Sequence, residues 1–438
     1  MQASLAQQCP AQPLNISNNS KRKALKSIGS RSSFATSKTL TSDRLCASRP
    51  RSVILSNRRP LSADVACAST SEMPSGLSSI LPENTVYENV TNYYGKVLST
   101  SKDLKTSACT AAGRPPEYVR QLLKAVPKEV KDKFYGCGVP LPSGIEGLRV
   151  LDLGSGSGRD CFVAAALVGE NGSVVGVDMT DEQLEVARKH GPAYCTETLG
   201  YKENNMKYIK GHIEYLDKAG IEDESVDVII SNCVVNLSPD KKRVLSEAYR
   251  VLEAGGEFYF SDVYCDRRLP QEVVEDEVLF GECISGALYV QDFIRYCRDV
   301  GFTDPRVLST SKIEINDPEL KRKTGEAQFY SITYRLFKLP DHLETLCEDY
   351  GQVAVYKGTI PGSESAYQLD DHHRFVKGKP MLVCGNTGAM VGEDGVSWLS
   401  KHFTVTGDRS VHYGLFDCGG IPVTDQPAGD TSSGGSCC

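Results

Sequence analysis

The sequence predicts an α/β protein: a parallel sheet with helices on both faces, followed by an irregular C-terminal region. Three observations carry this. From Leu148 onward, short apolar runs alternate with amphipathic stretches, the pattern of successive β-α units that lay strands side by side in parallel. One of those runs leads straight into Gly154-Ser155-Gly156-Ser157-Gly158, a glycine turn that opens a helix. Beyond Lys338 the alternation fades into Gly-rich segments with scattered short strands.

The elements follow in order. Pro116 is well placed to start a helix, and Val119, Leu122, Leu123, Val126, Val130 and Phe134 recur at helical spacing until Tyr135-Gly136-Cys137-Gly138 makes a turn. Arg149–Leu153 and Ser173–Asp178 read as buried strands, with a helix from Arg159 to Val168 between them. A helix over Asp181–His190 precedes strands at Met206–Lys210 and Val226–Ser231. Ser238-Pro239 reads as the cap and first turn of a helix reaching Leu252; Gly255-Gly256 end it, and Glu257–Ser261 returns as a strand. Pro270–Cys283 and Val290–Val300 read as helical and Phe329–Phe337 as a late strand.

The chain has 438 residues, 40% hydrophobic and 24% charged, with a net charge of −7. That length allows roughly two or three domains. The charge gives no basic footprint for nucleic acid, and no run approaches the roughly 18–20 apolar residues of a membrane span. The charge is uneven. Residues 1–71 hold 11 Lys plus Arg against 2 acids. A Ser- and Arg-rich, acid-poor leader without a continuous apolar core reads as an organelle transit peptide. Val65-Ala66-Cys67-Ala68-Ser69 resembles a plastid processing site, so chloroplast is expected ahead of mitochondrion. The bland alternative is a disordered tail and a cytoplasmic protein. The expected organisation is a leader at 1–75, a cofactor-binding domain with an N-terminal lid at 76–265, a substrate-binding region at 266–338, and a C-terminal domain of open role at 339–438.

The strand–glycine–helix element is the most specific local signal. Glycines permit positive φ and close approach of backbone to a ligand, and Asp178, at the end of the second strand, can accept hydrogen bonds from two ribose hydroxyls. The spacing is Gly-x-Gly-x-Gly with Asp152 two residues ahead of Gly154. It resembles the S-adenosylmethionine loop of class I methyltransferases more than a dinucleotide fingerprint, whose helix N-terminus must receive pyrophosphate. Nicotinamide or flavin binding and a non-binding glycine turn are the alternatives. Gly211-His212-Ile213-Glu214 and Asn232 each follow a strand, at the carboxyl edge where open α/β sheets bind ligands; Glu214 reads equally well as a helix cap.

The sixteen cysteines include no Cys-x-x-Cys pair, so zinc-finger geometry is missing. Cys161 and Cys297 read as plain core. Four stand in different settings. Cys109 and Cys137 flank the helix that follows Pro116, Cys233 follows Asn232 at a strand end, and Cys283 lies in the small-residue run Gly281–Leu288. Thiolates select soft, thiophilic centres.

Six segments together resemble the arsenite methyltransferases. They are Tyr93-Tyr94-Gly95 with Leu104–Cys109, Tyr135–Gly138, Leu151–Cys161, Ser231–Leu237, Tyr259–Tyr264 and Gly281-Glu282-Cys283, matched in order from about Val86 to Lys338. The resemblance implies a class I methyltransferase sheet and S-adenosylmethionine as methyl donor. Its contacts fall on Asp152, Gly154, Ser155, Gly156, Gly158, Asp178, Met179, Ile213, Glu214, Asn232 and Tyr94. It further implies trivalent arsenic held by Cys137, Cys233 and Cys283, and a disulfide cycle involving Cys109 that a thiol reductant, glutathione or thioredoxin, closes. Cys437-Cys438 would be accessory. The products implied are mono-, di- and trimethylated arsenicals. A monomer is expected, with neither nucleic acid nor membrane as partner. A sterol- or quinone-type C-methyltransferase and a non-enzymatic metalloid-binding protein are the competing readings.

Overall fold

The computed structural model of the protein describes residues 83–92, 115–134, 136–392 and 395–418. The leader, Tyr93, Tyr94, Cys109 and Cys437-Cys438 lie outside the described residues.

Among the described residues three helices precede the sheet: α1 (Glu83–Asn92), α2 (Glu117–Ala125) and α3 (Lys128–Asp132). The single helix expected to reach Phe134 is thus two helices. Val126 is extended, with ψ 134°, because Pro127 disfavours helical geometry in the residue before it.

The core follows as β1 (Arg149–Leu153), α4 (Arg159–Val168), β2 (Ser173–Asp178), α5 (Asp181–Ala193), β3 (Met206–Lys210), β4 (Val226–Asn232), α6 (Lys241–Val251) and β5 (Leu252–Cys265). After it come α7 (Gln271–Val274), α8 (Glu277–Gly281), β6 (Leu288–Tyr289), α9 (Val290–Val300), β7 (Arg306–Ile313), α10 (Pro318–Thr324) and β8 (Phe329–Phe337). The sheet runs in the order β3-β2-β1-β4-β5-β8-β7, with β6 beside β5. β1 to β5 are mutually parallel, whereas β8 pairs antiparallel with β5 and β7 antiparallel with β8. The all-parallel expectation therefore holds for the first five strands, and the late strand returns along an edge that β5 leaves open.

Period-two alternation sends neighbouring side chains to opposite faces. Leu151, Leu153 and Ile229 pack under α6 and α9 with Val244, Leu245 and Phe293. Val150, Val228 and Ile230 pack on the other side against Phe162 of α4 and Leu184 of α5. Both faces are covered, which is what keeps a parallel sheet dry.

Three local boundaries differ from the sequence reading. Asp240, not Ser238, caps α6, its carboxylate accepting from the Arg243 amide at 3.0 Å. Ser238 instead donates to Glu214. α6 stops at Val251 and β5 begins at once, so Gly255-Gly256 lie inside the strand. The β4–β5 register jumps there from Val226↔Leu252 to Val228↔Glu257, a bulge that Gly255 accommodates at φ +89°. The segment expected as one helix over Pro270–Cys283 is the pair α7 and α8, with Asp276 capping the second.

Residues 266–338 are not a separate body, since β7 and β8 extend the same sheet. The last region has its own core around Tyr356, Leu369, Phe375, Met390 and Phe403. It contains a three-stranded antiparallel sheet of Pro380–Val383, Gln352–Tyr356 and Phe403–Thr406, beside α11 (Gly385–Val391). Arg335 on β8 ties it to the main sheet by bonding both Glu257 and the Leu369 carbonyl at 2.9 and 3.0 Å. Among the described residues no helix is long and apolar enough to cross a membrane.

Candidate active site

A cleft of roughly 1000 Å³, continuous with solvent, lies at the carboxyl ends of β1, β2 and β4, where open α/β sheets bind ligands. Its floor is the glycine loop. The amides of Gly154 and Ser155 both donate to the Val177 carbonyl, at 2.8 and 3.0 Å, which pins the loop to the end of β2. Gly154 holds φ +70°, and a Cβ there would fall 2.4 Å from Val234. Gly156 donates its amide to Asp178 at 2.8 Å, and the other oxygen of Asp178 accepts from Thr180. Gly158 does not line the cleft; it takes φ +88° as the N-cap of α4.

The cleft is acidic at one end. Asp152 is buried and accepts from the Cys161 thiol at 3.1 Å. Burial, and then the charge of Asp160, push its carboxyl up to about 8. Asp160 accepts from Asn232 at 2.8 Å and bonds Arg159, whose guanidinium lies over the Phe134 ring. Asp178 is also raised by burial, against the amides of Thr180 and Gly156. Three clustered carboxyl groups in a partly dry cleft suit a cationic ligand. Ser155 Oγ and Gln183 Oε1 are buried in the same lining with no hydrogen-bond partner among the described residues, a cost that a polar ligand relieves. The donor set therefore fits S-adenosylmethionine, which carries a sulfonium, an ammonium and ribose hydroxyls.

Of the expected cofactor contacts, Asp152, Gly154, Ser155, Gly156, Asp178, Met179, Ile213, Glu214 and Asn232 all line the cleft. Asn232 does something the sequence did not reveal. Its amide oxygen accepts from Gly138 N and its NH2 donates to Gly138 O, both at 3.0 Å. It therefore clamps the loop that carries Cys137 onto the end of β4. The Cys137 carbonyl accepts from Ser331 on β8 at 2.9 Å, holding the same loop from the far side.

Three of the four singled-out cysteines are described, and they converge. Cys137, Cys233 and Cys283 are all buried in one apolar cluster with Val86 and Val90 of α1, Val263 and Leu279. Cys233 lines the cleft. Its sulfur forms a disulfide with Cys137, so the three reduced thiols expected as a ligand set are one thiol and one disulfide here. The reason is proximity: Asn232 seats the Cys137 loop directly against the residue that follows it. Cys283 keeps its thiol, which donates to the Cys233 carbonyl at 3.7 Å. Asp262 on β5 lies within 4.8 Å of both disulfide sulfurs. Burial pushes its carboxyl up to about 7, opposed by the amides of Val263 and Asn236.

Asn236 closes the arrangement, donating to the Val263 carbonyl at 2.6 Å and the Cys283 carbonyl at 3.4 Å. A Cβ on Gly286 would meet the Asn236 carbonyl at 2.2 Å, so the small-residue run after Cys283 is what allows this close approach. Cleft residues that sequence reasoning did not assign include Thr180, Gln183, Leu237 and His212, whose ring lies 4.2 Å from that of Tyr87. Leu237 and His212 lie inside segments already singled out, Ser231–Leu237 and Gly211–Glu214, whereas Thr180 follows β2 and Gln183 sits in the first turn of α5, where no motif marked them.

Residues 145–316 match the family described as a methyltransferase domain. An arsenite methyltransferase of Aquipseudomonas alcaligenes is 53% identical over 354 residues, covering 81% of this chain and 100% of that protein. The human arsenite methyltransferase is 44% identical over 312 residues, 71% of this chain and 82% of its own. The crystal structure of an arsenic(III) S-adenosylmethionine methyltransferase from Chlamydomonas reinhardtii superposes with a TM-score of 0.67 at 67% identity, covering 69% of this chain and all of that one.

Proposed function

From the premise that this chain belongs to the arsenite methyltransferase family, we propose that it methylates trivalent arsenic held by Cys137, Cys233 and Cys283. The methyl group comes from S-adenosylmethionine, whose sulfonium supplies an electrophilic carbon. The observation that carries the ligand assignment is the convergence of the three cysteines in one buried cluster, with Cys233 on the cleft wall.

The residues divide the work. Asp178 and the glycine loop shape the end of β2 for a ribose, and Asp152 and Asp160 face the cationic part of the donor. Three thiolates hold arsenic and leave it a lone pair, so the nucleophile needs no general base. Asp262 stands beside two of the sulfurs and, with its pKa near neutrality, is suited to accept a thiol proton as arsenic binds. Catalysis is mainly positioning, worth roughly 7–11 kcal/mol when geometry is right.

The Cys137–Cys233 disulfide is the oxidised form of this site. Two electrons and two protons from an external thiol reductant, glutathione or thioredoxin, regenerate the pair of thiols. Cys109, outside the described residues, remains the proposed relay. The role is arsenic detoxification, carried out in the plastid if residues 1–75 are an import leader. Fusing that segment to a fluorescent protein tests the address, and diffuse cytosolic signal rejects it.

The enzyme assay is direct. Purified full-length protein with arsenite, glutathione and labelled S-adenosylmethionine is expected to yield methylarsenicals. Labelled donor left unconsumed under reducing conditions refutes the activity.

A further inference from the structure

A second cysteine cluster lies apart from the cleft. The thiols of Cys347, Cys384 and Cys418 come within 4.8 Å of one another in the C-terminal region, and none of them lines the cleft. Their meeting is built by the fold. Glu348–Asp349 pairs antiparallel with Gly414–Leu415, and Phe416 N donates to the Cys347 carbonyl at 2.8 Å, bringing Cys347 and Cys418 to one end of that ribbon. Cys384 caps α11, its sulfur accepting from the Thr387 amide at 3.5 Å. Asn386, two residues on, exchanges hydrogen bonds with the Glu344 backbone at 2.7 and 2.8 Å, which docks the helix against the segment leading to Cys347.

The Arg306 guanidinium lies 3.8 Å from the Cys384 sulfur and is itself held between Asp304 and Asp370 at 2.7 and 2.9 Å. A cation beside a buried thiol favours the thiolate, which is the metal-binding form. Cys384 is buried while Cys347 and Cys418 are half-buried, so the cluster has a closed side and an accessible side.

We propose that Cys347, Cys384 and Cys418 form a second site for trivalent arsenic, which retains the substrate without methylating it. This rests on the reading that trivalent arsenic is the substrate of the chain. Ligand number selects the ion. Soft thiolate sulfur suits both zinc and arsenic, but structural zinc takes four protein ligands, and among the described residues this group has three sulfurs and no fourth His, Cys or carboxylate. Trivalent arsenic is satisfied by three. In binding arsenous acid, three As–S bonds replace three As–O bonds. The three thiol protons leave with the three hydroxyls as water, and no atom changes oxidation state.

The test uses the reduced full-length protein, loaded with arsenite, passed through gel filtration and assayed for arsenic per chain. Cys384→Ser, whose hydroxyl keeps the helix cap, and Cys418→Ser, at a half-buried position, are each expected to lose one arsenic equivalent relative to wild type. Arsenite methylation should stay within about twofold in both. Equal retention by wild type and both variants overturns the proposal. So does stoichiometric zinc in the purified wild type that Cys418→Ser lacks, since the site would then be a zinc site. If wild type fails to methylate arsenite at all, the earlier reading of function fails instead, whatever the retention shows.

Discussion

The Cys283 thiol donates to the main-chain carbonyl of Cys233 across 3.7 Å, and both residues hold positive φ, +61° and +59°. Among the described residues only two other non-glycine positions, Glu224 and Asp341, share that conformation. A side chain at positive φ costs of order 1–3 kcal/mol and persists only where its surroundings impose it. Here the Cys233 amide is held by Ser261 O at 2.8 Å and the Cys283 carbonyl by Asn236. Two cysteines are thus kept in an unfavourable backbone state, with the Cys283 thiol against the Cys233 backbone and the Cys233 sulfur on that of Cys137.

Replacing either one by serine is expected to cut arsenite methylation at least about 100-fold. S-adenosylmethionine affinity, read by calorimetry, should change less than about threefold, because the acidic end of the cleft is untouched. Full methylation by Cys283→Ser removes that residue from the ligand set. Cys297→Ser, at a core position on the buried face of α9, should leave methylation unchanged.

The raised pKa of Asp152 makes donor binding depend on pH. A cationic ligand favours the ionised carboxylate, so below about pH 8 binding must expel a proton. Affinity should strengthen by up to about tenfold per pH unit as pH rises toward 8, then level off. Asp152→Asn should bind more weakly and with a flat profile. Stability runs the other way. The folded pKa lies above the unfolded value of about 3.9, so this group's contribution, full below pH 4, is lost as pH rises through about 8. A wild-type affinity independent of pH between 6 and 8 contradicts the assignment.

Gly154→Ala forces a Cβ at φ +70° against Val234. Strain of about 1–2 kcal/mol, plus displacement of the loop, should lower the melting temperature and weaken S-adenosylmethionine binding at least about tenfold. Val234→Ala in the same chain makes room and should restore part of the binding. No recovery in the double variant places the damage elsewhere.

Asn232→Asp keeps an acceptor for the Gly138 amide but loses both donated bonds and faces Asp160. The expected loss is about 1.5–3 kcal/mol of stability near neutral pH, with reduced methylation because the Cys137 loop loosens. Chemical denaturation at pH 5 and pH 8 checks the sign: the variant should be relatively worse at pH 8, where the added carboxylate is charged.

Thiol labelling reads the redox state. After denaturation without reductant, Cys137 and Cys233 should resist maleimide while Cys283 reacts, and prior reduction should expose all three. Labelling of all three without reductant would show the disulfide to be unoccupied in the purified enzyme.

Much of this molecule was written locally. β1, β2, β3, α4, α9 and β8 fall where the sequence placed them, because each is a contiguous run bounded by local turn signals, whether buried nearly throughout as β1, β8 and α4 are or on one face as α9 is. The glycine loop and Asp178 were readable for the same reason: the turn, the helix start and the acid lie within one β-α-β unit. Where a neighbour competes, the local signal failed. Pro127 divides a continuous apolar stripe, Asp240 takes the cap from Ser238, and the β4–β5 register bulges at Gly255.

Tertiary structure alone decided which sulfurs meet. Cys137 and Cys233 are 96 residues apart, and they touch because Asn232 holds the Gly138 backbone. Cys347, Cys384 and Cys418 carry no spacing signal at all, since a two-stranded ribbon and a helix start bring them together from three separate segments. Residue type announced thiol chemistry. Its geometry came from long-range hydrogen bonds and strand pairing, whose partners no short window of sequence contains.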